Sequence, residues 1–179
     1  TLCEGEVVQL HNRGNLDLSE DLYFTIVERK TASLIGACCE IGAQLSGGCK
    51  NTQAALRRFG IEIGIAFQIT DDLLDLTGDQ QDVGKSTGRD LDMGKLTLPL
   101  IRALHHSDEP TRRSITALVR DRCHAQLRER LCEDGWFESA EQTVIDRVAS
   151  ARRHIGDLPD NQATTMLHLL ADAIIARTF

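Results

Sequence analysis

An all-α fold is predicted by three features of this sequence. Apolar residues recur at helical spacing along nearly its whole length, and no stretch shows the in-and-out alternation of a strand. Its three prolines, Pro99, Pro110 and Pro159, fall where a helix would begin or a loop would run. With 179 residues, 41% apolar and 26% charged, the chain is ordinary globular material, long enough for one core and read as one domain or part of one.

The elements follow in order. A short helix spans Leu2 to about His11 and ends near Gly14-Asn15. Asp17 and Glu20 make a capping-box-like start for a long helix from Leu18 to Leu45, closed by Ser46-Gly47-Gly48. A second long helix runs from Asn51 to Leu76, with Gly60 and Gly64 on one face where another helix could approach closely. Gly78, Gly84, Gly88 and Gly94 then punctuate a loop of roughly sixteen residues, and a loop that long inside a compact domain is usually functional. Helices resume from Leu98 to Leu104, from Asp108 to Cys132 with the Asp108 carboxylate as cap, from Glu138 to Ile155 and from Asn161 to Arg177. Nothing after residue 105 stands out as chemistry, and the C-terminal third reads as scaffold.

Composition narrows the function. A formal charge of −7 argues against a nucleic-acid surface, and the lysines are too dispersed for a polybasic membrane patch. No apolar run approaches the ~20 residues that span a bilayer, and the first residues lack a signal-peptide pattern. The six cysteines contain no C-x-x-C and read as reduced, mostly buried thiols, which places the protein in the cytoplasm. His105-His106 reads as a solvated helix end rather than a zinc site.

Chemistry concentrates in Phe67-Gln68-Ile69-Thr70-Asp71-Asp72-Leu73-Leu74-Asp75, three acids and a glutamine inside an apolar helical run. On a helix Gln68 lies beside Asp71 and Asp72, and Asp71 one turn before Asp75. Unit charges about 4 Å apart repel by roughly 1 kcal/mol in water and about 4 at an intermediate dielectric. A cation between the acids would relieve that, and a partial set of hard oxygens suits Mg²⁺ or Ca²⁺. A solvated acidic face is the other reading of so short a pattern. Downstream, Gly84-Lys85-Ser86 looks like the end of a P-loop, but the earlier glycine of G-x-x-x-x-G-K-S/T would have to be position 79, which is Asp79. What remains is an acid-rich helix followed by a loop with two lysines, Lys85 and Lys95, which suits a Mg²⁺-bridged diphosphate.

Taken with Cys3-Glu4-Gly5-Glu6-Val7-Val8-Gln9, Arg29-Lys30-Thr31-Ala32, Gly88 with Asp90-Leu91, and Gly94-Lys95 with Thr97-Leu98-Pro99, these residues resemble the trans-isoprenyl diphosphate synthases, the polyprenyl synthetase family, and most of all its octaprenyl or solanesyl type. The resemblance runs in order from near residue 3 to residue 99. It implies the C-terminal part of the isoprenoid synthase helical bundle around a central cavity. The family has two aspartate-rich motifs, and the one D-D-x-x-D here matches the second. Residues 1–179 are therefore expected to be the C-terminal portion of a single polyprenyl synthetase domain, inactive alone, with the first motif lying upstream.

The resemblance also implies roles. Asp71, with Asp72 and Asp75 directly or through water, would hold Mg²⁺. Lys30, Lys85 and Lys95 would grip the diphosphate, and the hydroxyl of Thr31 and the amide of Gln68 would face the allylic cation. Glu4, Glu6 and Gln9 receive no role beyond structure or contacts that support the site residues. Substrates would be an allylic diphosphate and isopentenyl diphosphate, and the assembly a homodimer. Two alternatives stand beside this reading. A class I terpene synthase would show a downstream N-D-x-x-S-x-x-x-E-type motif, which is missing, whereas a non-catalytic subunit of a heteromeric prenyltransferase would keep the fold but would not need Lys30, Gln68, the three acids and Lys85.

Overall fold

The computed structural model describes residues 1–77 and 88–177, and Lys85 with the glycines at 78 and 84 lies outside them. Among the described residues the chain is helical with no strand. Helix α1 is Leu2–His11. Helix α2, Glu20–Val27, passes through a π turn, Glu28–Ala32, into α3, Ser33–Leu45. The long α4 is Lys50–Thr77, and α5 is the short Arg89–Asp92. Then come α6, Leu98–His106; α7, Glu109–Arg120; α8, His124–Glu133; α9, Trp136–Ile155; and α10, Gln162–Ala176.

Helix α4 is the axis, packed between α3 on one side and α9 on the other. Its Phe59, Ile63, Ala66, Ile69 and Leu73 recur at three- and four-residue steps and are all buried, as are Val144, Val148, Ala151 and Ile155 of α9. The glycine face predicted from the sequence is where α3 closes on it. A Cβ added at Gly60 would stand 2.8 Å from the Cα of Gly36, and one at Gly64 would stand 2.6 Å from the Cα of Ala32. Residue numbers rise along one helix as they fall along the other, so the two run antiparallel.

Four boundaries differ from the sequence reading. Ser19, not Asp17, caps α2, its hydroxyl accepting from the Leu22 amide at 3.2 Å, while Asp17 turns outward to pair with Arg112. The long helix expected to Leu45 is interrupted by the π turn. The helix expected from Asp108 to Cys132 breaks at Arg122, a non-glycine residue at φ 55°, and the break lets Leu127 and Leu131 bury beside Ile115. Helix α9 starts two residues before Glu138, on left-handed Gly135. Asp108 does cap, accepting from the Thr111 amide at 3.0 Å.

The cysteines also differ. Cys3, Cys38, Cys49 and Cys132 are exposed, with Cys39 and Cys123 half-buried and none bonded to another. Burial of a thiol depends on which helix face it occupies, and composition does not tell faces apart. Among the described residues no helix is long and apolar enough to cross a membrane.

Candidate active site

The antiparallel pairing of α2–α3 with α4 brings residues far apart in sequence to one end of the bundle. The π turn contributes Lys30 and Thr31. One wider turn adds a residue to the helix without ending it and rotates the side chains after it, a device common at functional sites. The Ser33 amide bonds to the Glu28 carbonyl, five residues back. Helix α1 seats against this bulge at Gly5, where an added Cβ would lie 2.8 Å from the backbone nitrogen of Lys30. That approach brings Glu6 and Gln9 to the lysine, whose Nζ lies 2.8 Å from Glu6 Oε2 and donates to Gln9 Oε1 at 2.6 Å. The hydrogen bond from Lys30 holds the Glu6 carboxyl below its ordinary range.

Thr31 meets Gln68, its hydroxyl donating to Gln68 Oε1 at 2.8 Å. The amide of Gln68 donates in turn to Asp72 Oδ1 at 2.9 Å. Asp72 is fully buried. Its Oδ1 also accepts from Lys95 Nζ at 2.8 Å, and its Oδ2 accepts from the Tyr23 hydroxyl at 2.9 Å. Lys95 reaches Asp90 Oδ2 at 2.6 Å as well, so one ammonium bridges two carboxylates.

Burial pushes the Asp72 carboxyl up against the opposing pull of Lys95. Burial also works against the charge of Lys95, but the two carboxylates outweigh it and raise the ammonium well above its ordinary value. Lys95 therefore keeps its charge between the two acids.

The three aspartates of the motif do not share one environment. Successive helical residues point about 100° apart, so Asp71 is exposed while Asp72 faces inward. Asp75 is half-buried, accepts the Asp90 backbone amide on Oδ2 at 3.0 Å, and has its carboxyl raised by that burial. Among the described residues no group of three or more His, Cys, Asp or Glu side chains is placed to hold a metal ion. Asp71 and Asp75, one turn apart, supply a partial set.

A cavity at this end is lined by Lys30, Thr31, Gln68 and Lys95, with Gln9 and Tyr23 beside them and apolar walls from Leu18, Ile26, Val27 and Leu96. Thus Lys30, Thr31, Gln68 and Lys95 come together, Asp72 stands behind Gln68, and Lys85 lies outside the described residues. Tyr23, the partner of Asp72, and Asp90, which shares Lys95 with it, were missed. A tyrosine in an apolar stretch reads as core, and its hydroxyl contact to a residue 49 positions away has no local signal. Gln9 and Glu6, given only structure or supporting contacts, are the groups that hold Lys30.

The comparisons bear on this arrangement. A family model described as polyprenyl synthetase matches residues 1–133. The chain is 32% identical over 179 residues to a short chain isoprenyl diphosphate synthase of Methanothermobacter thermautotrophicus, covering 98% of this chain and 55% of that one. It is 35% identical over 173 residues to heptaprenyl diphosphate synthase component 2 of Geobacillus stearothermophilus, covering 95% and 53%. In three dimensions it resembles a polyprenyl synthase from Caulobacter crescentus solved in complex with calcium and isoprenyl diphosphate, with a TM-score of 0.91, 32% identity, and 99% of this chain matched to 56% of that one. The chain spans about half the length of the relatives it matches.

Proposed function

The chain belongs to the polyprenyl synthetase family, and from that premise we propose that the protein it forms part of is a prenyltransferase. It condenses an allylic diphosphate with isopentenyl diphosphate into a longer all-trans polyprenyl diphosphate. The observation that carries this reading is the run of bonds from Thr31 through Gln68 and Asp72 to Lys95, beside a cavity and next to the exposed Asp71.

The reaction must expel pyrophosphate and shelter an allylic cation. Asp71 and Asp75 offer hard oxygens one turn apart, a partial set that suits Mg²⁺ completing its shell with water and diphosphate oxygens. Bound there, the ion neutralises charge on the departing pyrophosphate. Asp72, already engaged by three donors, belongs behind that pair and acts on it through water or by keeping the helix end in place. Lys30, about one-third exposed at the cavity, meets the diphosphate with its ammonium, and Lys85 joins it. Lys95 divides its charge between Asp72 and Asp90 and contributes chiefly by holding that cluster together. Because Thr31 gives its proton to Gln68, its lone pairs remain for the allylic cation, which the apolar cavity walls shield from water.

We place the enzyme in the cytoplasm as a homodimer. A relative named component 2 favours, as a second reading, an assembly of two kinds of subunit. The full-length protein tests both readings. Purified alone, it incorporates labelled isopentenyl diphosphate into an allylic primer and runs as a dimer in light scattering, whereas turnover that requires a second, different chain supports the two-component assembly. Residues 1–179 alone give no turnover. Asp71→Ala in the full-length protein lowers turnover by roughly 100-fold or more with its melting temperature unchanged. Full incorporation by that variant would overturn the role given to Asp71.

A further inference from the structure

From this arrangement we infer that Tyr23 is a positioning residue for catalysis, acting through Asp72 and Gln68 to set the direction in which the Thr31 hydroxyl presents its oxygen. The inference rests on the function proposed above and adds a residue to it. Tyr23 is the only tyrosine of the 179-residue chain, and its ring is buried among the apolar residues of the core.

The chain of bonds has a fixed polarity. Both Asp72 oxygens already accept, Oδ1 from Lys95 and Oδ2 from Tyr23, so the Gln68 group facing Oδ1 must be its NH₂. The amide oxygen is then turned to Thr31, and the threonine must donate to it. The proton of Thr31 is thereby committed to Gln68, and its lone pairs are left toward the cavity that both residues line. A reversed glutamine would present a donor to Thr31 and spend one of those lone pairs. The position of the Asp72 carboxylate governs which way the glutamine sits. Lys95 and Gln68 both pull on Oδ1, and the Tyr23 hydroxyl bonds the opposite oxygen, Oδ2. The tyrosine hydroxyl is the donor in that contact, at 2.9 Å. Without that anchor the carboxylate would be held by hydrogen bonds to Oδ1 alone.

The test uses the full-length protein and measures condensation of an allylic diphosphate with isopentenyl diphosphate. Tyr23→Phe removes one oxygen and keeps the ring. It is expected to lower kcat roughly 10-fold, with KM for the allylic diphosphate within about threefold. The decisive measurement is non-additivity. In a Thr31→Val background the hydroxyl to be oriented is gone, so adding Tyr23→Phe should cost less than about twofold. A Gln68→Leu background cuts the chain between Asp72 and Thr31, and Tyr23→Phe should again cost little.

A kcat per folded molecule equal to wild type, or losses that multiply in both backgrounds, would overturn the inference. So would a Tyr23→Phe protein that loses its circular dichroism signal, since the hydroxyl would then serve the fold. Wild type that fails to condense the two substrates would instead overturn the proposed function, and the two failures are told apart by that control.

Discussion

At the level of single residues, the bridge of Lys95 between Asp72 and Asp90 makes the sharpest stability prediction. Removing one partner of a buried ion pair leaves the other uncompensated, at a cost of about 3–5 kcal/mol. Lys95→Met leaves two carboxylates sharing one pocket, and urea unfolding at about pH 7 should show a loss in that range. Acid should repair part of it. Burial already raises the Asp72 carboxyl in the folded state, so the fold binds its proton more readily than the unfolded chain does, and stability from this group grows as pH falls toward the unfolded value of 3.8. The deficit of Lys95→Met relative to wild type should therefore narrow between about pH 7 and about pH 4, and an unchanged deficit would show that the lysine is not neutralising these acids. Gln68 and Asp72 were legible beforehand because helical spacing gathers chemistry-bearing residues on a face, whereas Lys30 and Thr31 were marked only by the family resemblance. Which aspartate faces inward was not legible, because it depends on where α2 and α5 pack. Tyr23 and Asp90 were hidden for the same reason.

Among the elements, the approach of the π turn and α3 to α4 sets the geometry of the site, since Thr31 adjoins Ala32 and Gln68 lies one turn beyond Gly64, the two residues in contact. A methyl at Gly64 would have to displace backbone, its Cβ falling 2.6 Å from the Cα of Ala32. Overpacking of this kind costs about 1–3 kcal/mol, so Gly64→Ala should lower the melting temperature. It should also weaken activity in the full-length protein by moving Thr31 away from Gln68. Gly42 is the control on the partner helix α3, exposed and with nothing within 4 Å of an added Cβ. Gly42→Ala should stabilise by up to about 1 kcal/mol through helix propensity alone. Equal effects at the two sites would mean that the close approach does not constrain the bundle. The two glycines on one face of α4 were readable in sequence because only glycine spacing was needed. The π turn was not, since residues 28–32 suit an ordinary α-helix and the wider turn is imposed by α1 seating at Gly5. The break at Arg122 was equally silent, because no glycine or proline marks it.

For the whole molecule, the question is what ties the C-terminal helices, which carry no predicted chemistry, to the end that does. Arg102 of α6 is the brace. Its guanidinium donates to both carboxylate oxygens of Glu20 on α2, at 3.1 and 2.6 Å, and to the Ser139 carbonyl and hydroxyl on α9, at 2.7 and 2.9 Å. One planar group thus joins the helix leading into the π turn to the helix packed on the far side of α4. That all-helical scaffold was legible from proline placement and helical spacing, but the brace pairs residues 82 positions apart and no local pattern announces it. The hydrogen bonds from Arg102 hold the Glu20 carboxyl below its ordinary value of 4.5. A depressed carboxyl contributes stability that is present above its unfolded value and is lost as pH falls through the folded one. With about a third of Glu20 exposed, solvent screening reduces the contribution to about 1–2 kcal/mol. Glu20→Gln should therefore unfold at lower urea than wild type at about pH 7, and the two curves should converge as pH falls below 4.5. Arg102→Met should show the same loss at neutral pH and add little to Glu20→Gln in the double variant, because both remove one brace. Curves that stay parallel at every pH, or losses that sum, would mean that α2 and α9 are held to each other by apolar packing alone.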